Sequence, residues 1–207
     1  MRQTQPSDGD SRPKWFNSPV SLYEGPLTDI RQHIPTFERR SFGLTQTDNQ
    51  RSRLNERLDT IVRLPFRGDE TLIPVGVVSK DYVLMPHHAV LDIPTEALKA
   101  AEIAPENVRA ELTITEYGER MALSLYLPDK YSIDPGDGEV MALRLECFNS
   151  VDGSSRFRVL MGWFRFVCSN GLIIGVTRAD VRRRHVGNFR LTDRQRSSRV
   201  RVEGIRN

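Results

Sequence analysis

Lysine is scarce in this chain: of thirty basic residues only four are lysine, and the other twenty-six are arginine. Cysteine is scarcer still, at two. That number excludes a disulfide framework and predicts reduced thiols in a cytoplasmic protein. No apolar run approaches the ~18–20 residues that span a bilayer, and Met1 to Asn17 has no apolar centre of the secretory kind, so neither a membrane span nor a leader is expected. There is no Cys-x-x-Cys pair, and the adjacent His87 and His88 must point apart on a helix or a strand, so no metal site is expected. Glycine-rich phosphate loops are missing as well, and no cofactor is predicted. The acidic residues fall into no spacing that marks a paired-carboxylate or two-metal centre.

The charge that is present is unevenly placed. Residues 156–207 hold thirteen arginines against Asp180, Asp193 and Glu203, a sum of +10, while residues 1–155 sum to −7. A codon bias toward arginine explains the shortage of lysine but not this clustering.

Three segments follow from pattern. Residues 1–28 are polar, with four prolines, and read as a disordered N-terminal segment in which Trp15 and Phe16 offer a docking point. Residues 29–176 read as the folded core. Leu54, Leu58 and Ile61 have helical spacing, yet Thr60–Ile61–Val62 equally suits a strand. TLIPVGVVSKDYVLM predicts two short strands around Ser79–Lys80–Asp81, and HHAVLDIPTEALKAAEI predicts a helix, at least from Pro94, which suits a first helical turn, through Ala101, closed by Pro105. VRAELTIT and RMALSLYL form a hairpin about Tyr117–Gly118–Glu119. Met141, Leu143, Leu145 and Cys147 share one strand face, with Arg144 and Glu146 on the other. Phe157 to Trp163 alternates until Gly162, where either a glycine bulge or a change to helix fits. Residues 177–207 form an arginine-rich C-terminal segment with one short helix at Thr177–Arg184. The predicted class is α+β: a largely antiparallel sheet of hairpins with one or two packed helices, a disordered N-terminus and a basic tail.

Phe148–Asn188 carries a recognisable signature: Asn149, Ser150, Asp152, Gly153, Ser154 and Ser155, then Arg165, Cys168, Ser169, Asn170, Gly171 and Leu172, then His185, Gly187 and Asn188. In order and spacing it resembles the phage- and plasmid-like proteins of domain-of-unknown-function family 932, over about forty residues and back to about Pro74. The resemblance implies residence on a mobile genetic element and no established biochemical activity. Where that family's run usually has His, this chain has Val151, so no acid–base or metal role is expected there.

Three constellations carry chemistry. Asp152–Gly153–Ser154–Ser155, with Arg156 and Arg158 beside it, can turn backbone N–H groups toward an anion; a hairpin loop satisfying its own backbone is the plainer reading. Cys168, with His185 as base and Asn170 or Asp152 to orient it, would make a nucleophilic site, whereas a buried inert thiol and an Asn170–Gly171 turn explain the same residues. Arg165, Arg182, Arg183, Arg184 and His185, with the arginines beyond, suit phosphate oxygens. The favoured expectation is a non-enzymatic protein that binds nucleic acid or another polyanion through Asp152–Arg156, Arg158, Arg165 and Arg182–His185. Asn149, Cys168, Asn170, Gly171, Gly187 and Asn188 are singled out as residues of the family-like motif. A protein-binding modulator of a host or element-encoded partner is the alternative, and a Cys/His enzyme a third. Convergence of Arg156, Arg158, Arg165 and the 182–184 triplet on one face would support a polyanion groove, and scattering would leave a generic basic tail.

Overall fold

A computed structural model of the chain describes residues 19–46, 51–166 and 173–186. Nine strands, two helices and three 3-10 turns lie in this part, and the strands form two antiparallel sheets. This is the α+β arrangement that the hairpin pattern predicts.

The larger sheet follows the order β1 (Val20–Pro26), β5 (Arg109–Thr115), β6 (Arg120–Tyr126), β7 (Ala142–Ser150), β8 (Phe157–Phe166), β9 (Ile173–Arg183). The smaller follows β2 (Phe37–Gln46), β3 (Arg51–Arg63), β4 (Ile73–Ser79). From β5 to β9 each strand pairs with the next in sequence, as short hairpin connections require. One face of the large sheet is apolar by alternation. Leu112, Ile114, Met121, Leu123, Leu125, Cys147 and Phe157 pack there against Leu27 and Ile30 of α1 (Leu27–Ile30) and Val90, Leu91 and Leu98 of α2 (His87–Ala100). A second cluster, Phe37, Ile61, Val78, Tyr82 and Val151, joins the two sheets. Val151, the family's usual His position, is fully buried in it.

Several expectations are corrected. The last part of the segment predicted to be disordered is ordered: β1 pairs with β5 from Val20↔Thr115 to Pro26↔Arg109. Its apolar anchors Val20 and Leu27 are buried but stand among prolines and polar residues, so average composition hides them. Trp15 and Phe16 lie outside the described residues. The ambiguous stretch ending at Pro65 is strand β3, with Ile61 and Val62 buried and Leu54 exposed. Only one strand forms around Ser79–Lys80–Asp81; after the turn Tyr82 makes a single bridge to Val186. Helix α2 begins at His87 and carries Pro94 in its interior, where the ring forgoes the bond to the Val90 carbonyl. The predicted helix at Thr177–Arg184 is part of strand β9, which crosses the expected boundary between core and tail. Its alternation matches β8 from Leu160↔Asp180 to Phe157↔Arg183. The bulge reading at Gly162 prevails over the helix, although the extra residue sits on β9: Met161 pairs with Ala179 and Gly162 with Thr177, leaving Arg178 unpaired. Against β7, strand β8 keeps an unbroken register, so the apparent slip in its sequence is an apolar residue on each face.

Candidate nucleic-acid interface

Register fixes what lies on the face of the large sheet turned away from α2, because residues opposite each other in an antiparallel pair project to the same side. Across the strands this face carries Arg109 opposite Tyr126, Tyr126 opposite Arg144, Ser124 opposite Glu146, Phe148 opposite Arg158, and Arg158 opposite Arg182. The Arg109 guanidinium lies 3.8 Å from the Tyr126 ring centroid, and that of Arg144, on the other neighbouring strand, 4.4 Å from it. Phe164 extends the row, with Arg144 5.9 Å from its ring. Guanidinium planes stack on aromatic faces through cation–π attraction and shape. Glu111 and Glu146 balance Arg109 and Arg144 at 2.7 and 3.1 Å. Burial pushes the Tyr126 hydroxyl up to about 12, with Arg144 opposing and Glu111 assisting.

Toward β9 the balance changes. Arg158 and Arg182 both bind the Asp180 carboxylate, at 2.9 and 2.7 Å. Hydrogen bonds from Arg182, then Arg158, hold that carboxyl far below its usual range. Two arginines sharing one acid leave a positive charge on an exposed strand edge.

The expected residues divide between places. Arg158 and Arg182 are on this face, whereas Arg183, opposite Phe157, and Arg165, opposite Ile174, project to the other side. Arg165 binds Asp137 at 2.5 Å, seven residues along β8 from Arg158, or roughly 23 Å. Arg156 and Arg184 are exposed beyond the strand ends. These arginines do not converge on one face; of them only Arg158 and Arg182 share the open one.

The Asp152–Ser155 loop spends its donors on itself. Asp152 Oδ1 accepts from the Ser154 backbone N–H at 2.9 Å and from its hydroxyl at 2.6 Å, while the Ser150 hydroxyl accepts from Ser155 N–H at 3.0 Å and donates to Ser155 O at 3.1 Å. The other Asp152 oxygen takes Arg120 at 3.2 Å. Gly153 has φ +79°, as its turn requires, and lies against Tyr82. Asn149 donates to Met85 O at 3.0 Å and to His87 Nδ1 at 2.9 Å, so His87 donates from Nε2 to Gly118 O at 2.8 Å. Burial lowers His87 to about 4, against its bond to Gly118. His185 is buried, its value lowered chiefly by burial, and its ring stacks on Tyr82. The segment Asn149–Ser155 and His185 therefore meet at Tyr82, between the two sheets. Cys168, Asn170, Gly171, Gly187 and Asn188 lie outside the described residues. Cys147 is in the core, its thiol raised by burial to about 12.

The Arg109–Tyr126–Arg144 row was not visible in the sequence. Arg144 and Glu146 are recognisable as a polar strand face, but which residues stand across from them depends on hairpin registers that turn sequences leave open.

The sequence profile described as "Domain of unknown function (DUF932)" matches residues 74–198, more than half of the chain. The chain belongs to the DUF932 family. The match begins in β4, as the signature suggests, and takes in α2 and β5–β9; β1–β3 lie ahead of the DUF932 match. No curated protein and no solved structure matches the chain. No described helix is long and apolar enough to cross a membrane, and no cluster of three metal-binding side chains occurs among the described residues.

Proposed function

We propose that this DUF932 protein is encoded on a phage- or plasmid-like element and binds nucleic acid without catalysing a reaction. The open face of its large sheet engages a single strand with little sequence preference. The observation that carries this reading is the row Arg109–Tyr126–Arg144 continuing to Phe164, with Arg158 and Arg182 on the same face. Arg144 is itself buried and holds the Tyr126 and Phe164 rings in place. Those half-buried rings are what the surface offers to unstacked bases, and Arg109, Arg158 and Arg182 are its cations for phosphates, a combination that single-strand binders use. The joint at Tyr82 is scaffolding, which keeps β7 and β8 in register beneath that face.

Fluorescence anisotropy of labelled oligothymidine and a matching duplex over a range of salt tests the proposal. Binding should favour the single strand and weaken as salt rises. In the Arg158→Gln/Arg182→Gln double variant the log–log salt slope should be shallower by about 1.4, at ~0.7 per phosphate contact. No binding to either oligonucleotide at low salt rejects the reading.

A second reading, a modulator that contacts a protein partner, is favoured by one observation. Leu44 and Leu54 stand 65% and 62% exposed on the β2–β3 hairpin. If it holds, Leu44→Ser/Leu54→Ser abolishes copurification of that partner while oligonucleotide binding is unchanged.

A further inference from the structure

The turn between β3 and β4 has an unusual residue in it. Phe66 and Asp69 exchange backbone hydrogen bonds at 2.9 and 3.1 Å, closing a two-residue hairpin. Its central residues Arg67 and Gly68 have φ +52° and +83°. Both positions of such a turn are left-handed and favour Asn-Gly, so an arginine in the first is strained, and strain of this kind persists where its surroundings hold it. Here the surroundings are aromatic. The Arg67 guanidinium sits 5.2 Å from the Tyr23 ring centroid and 5.4 Å from that of Phe66. It donates to Tyr23 Oη at 3.3 Å and bonds His33 Nδ1, while the Tyr23 and His33 ring centroids lie 4.0 Å apart with their planes tilted by 32°.

A count of donors shows what this cluster lacks. Because His33 Nδ1 faces the guanidinium, the imidazole proton is on Nε2. Tyr23 Oη accepts from Arg67, so its own O–H is free to donate, and the guanidinium has further N–H groups beyond the two engaged. Ten described arginines hold a carboxylate. Arg67 holds two rings and a neutral imidazole, and the acid of its own turn, Asp69, is taken by Arg63. Burial, then the charge of Arg67, keeps His33 below its ordinary value against the opposing field of Asp29. The result is an exposed, pre-oriented cation with neighbouring donors and no anion.

We infer that Arg67 and Tyr23 O–H form a phosphate-binding site, with His33 Nδ1 holding the guanidinium in place. A guanidinium beside a hydroxyl matches the several oxygens of a phosphate group. The phosphate belongs either to a free ion or monoester or to a nucleic-acid backbone. The site lies ahead of the DUF932 match and does not depend on the open sheet face.

The test is nuclear magnetic resonance of the full-length protein, following the His33 imidazole and the Arg67 Nε–H. Inorganic phosphate, glycerol phosphate and an oligothymidine without terminal phosphate are added in separate arms, with sodium chloride at matched ionic strength. The expected result is a saturable shift at both residues that chloride does not reproduce, weakened at least tenfold in Arg67→Gln and several-fold in Tyr23→Phe, which keeps the ring. A response to inorganic phosphate or glycerol phosphate alone assigns the site to free phosphate or a monoester; a response to oligothymidine alone assigns it to the nucleic-acid backbone; a response in all three arms means the group is recognised in either setting. If Arg67→Gln fails to fold, Tyr23→Phe decides. No saturable shift in any arm, or shifts unaffected by the substitutions, overturns the site and leaves Arg67 as a packing residue. Loss of oligonucleotide binding in Arg158→Gln/Arg182→Gln with the Arg67 shifts retained separates the two proposals.

Discussion

The ring of His185 lies on the ring of Tyr82, centroids 5.3 Å apart and planes within 22° of parallel. One residue follows the last strand and the other follows β4, so their contact ties the sheet edge to the second sheet. The neighbouring backbone agrees: Val83 N–H donates to His185 O at 2.8 Å, and Tyr82 Oη to Ser150 O at 3.3 Å.

Removing the ring of Tyr82 should therefore loosen both sheets. Tyr82→Ala is expected to cost about 3–5 kcal/mol, the usual range for emptying a large aromatic site. Tyr82→Phe loses one hydrogen bond and about 1 kcal/mol. Urea denaturation of the two variants measures the difference; equal effects would mean that the ring does not bear the joint.

Acid should unfold the protein through His87. In the unfolded chain this imidazole takes its proton near 6.5, but the folded protein holds it off until about 4. Between those values the unfolded state binds more protons, so stability falls as pH falls through that window. The loss approaches roughly 3 kcal/mol at the lower end, at ~1.4 kcal/mol per unit. Denaturant midpoints from pH 7 to 4 check this, with His87→Gln expected to flatten the curve.

Gly76 permits a close backbone approach. A Cβ there would stand 2.8 Å from Asp152 Cα, so Gly76→Ala must push β4 away from the signature loop. A loss of about 1–3 kcal/mol is expected, as for overpacking elsewhere, and thermal unfolding would reveal it. Gly136→Ala is no control for space alone, since that glycine has a positive φ; Gly25→Ala, with open space around it, is.

Charge on the sheet face offers a gain as well as a loss. Asp180→Asn removes the carboxylate shared by Arg158 and Arg182 and should tighten single-strand binding several-fold at low salt, with the gain fading as salt screens it. Arg165→Gln, on the other side of the sheet and paired with Asp137, should leave binding within about twofold, since a distant phosphate contact adds nothing to this face. Anisotropy titrations of both variants decide.

The hairpins β5–β6 and β7–β8 were legible because alternation and turn residues agree over the whole of each. The helix at β9 was not excluded by sequence: Thr177–Arg184 has a weak apolar pattern, and only the unpaired edge of β8 selects a strand. Likewise the signature loop looks like an anion nest until the partners of Asp152 and Ser150 are known: Ser150 and one Asp152 oxygen are satisfied within the loop, and the other Asp152 oxygen by Arg120 of β6. His185 next to three arginines reads as part of a cationic patch, yet strand geometry ends at Arg183 and the chain turns His185 inward. What remained hidden was cross-strand identity: Arg109 and Arg144 are thirty-five positions apart and meet only through Tyr126.

Among the described strands β9 is the outermost of six, eleven residues long, and no described strand pairs with its outer side. An uncharged strand in that position invites a second copy to continue the sheet, the beginning of aggregation. Arg182 and Arg183, projecting to opposite faces, place like charges on both sides of any such junction. The same arginines that suit a phosphate backbone thus make the edge repel its own kind, so neutralising them should cost solubility before it costs the fold.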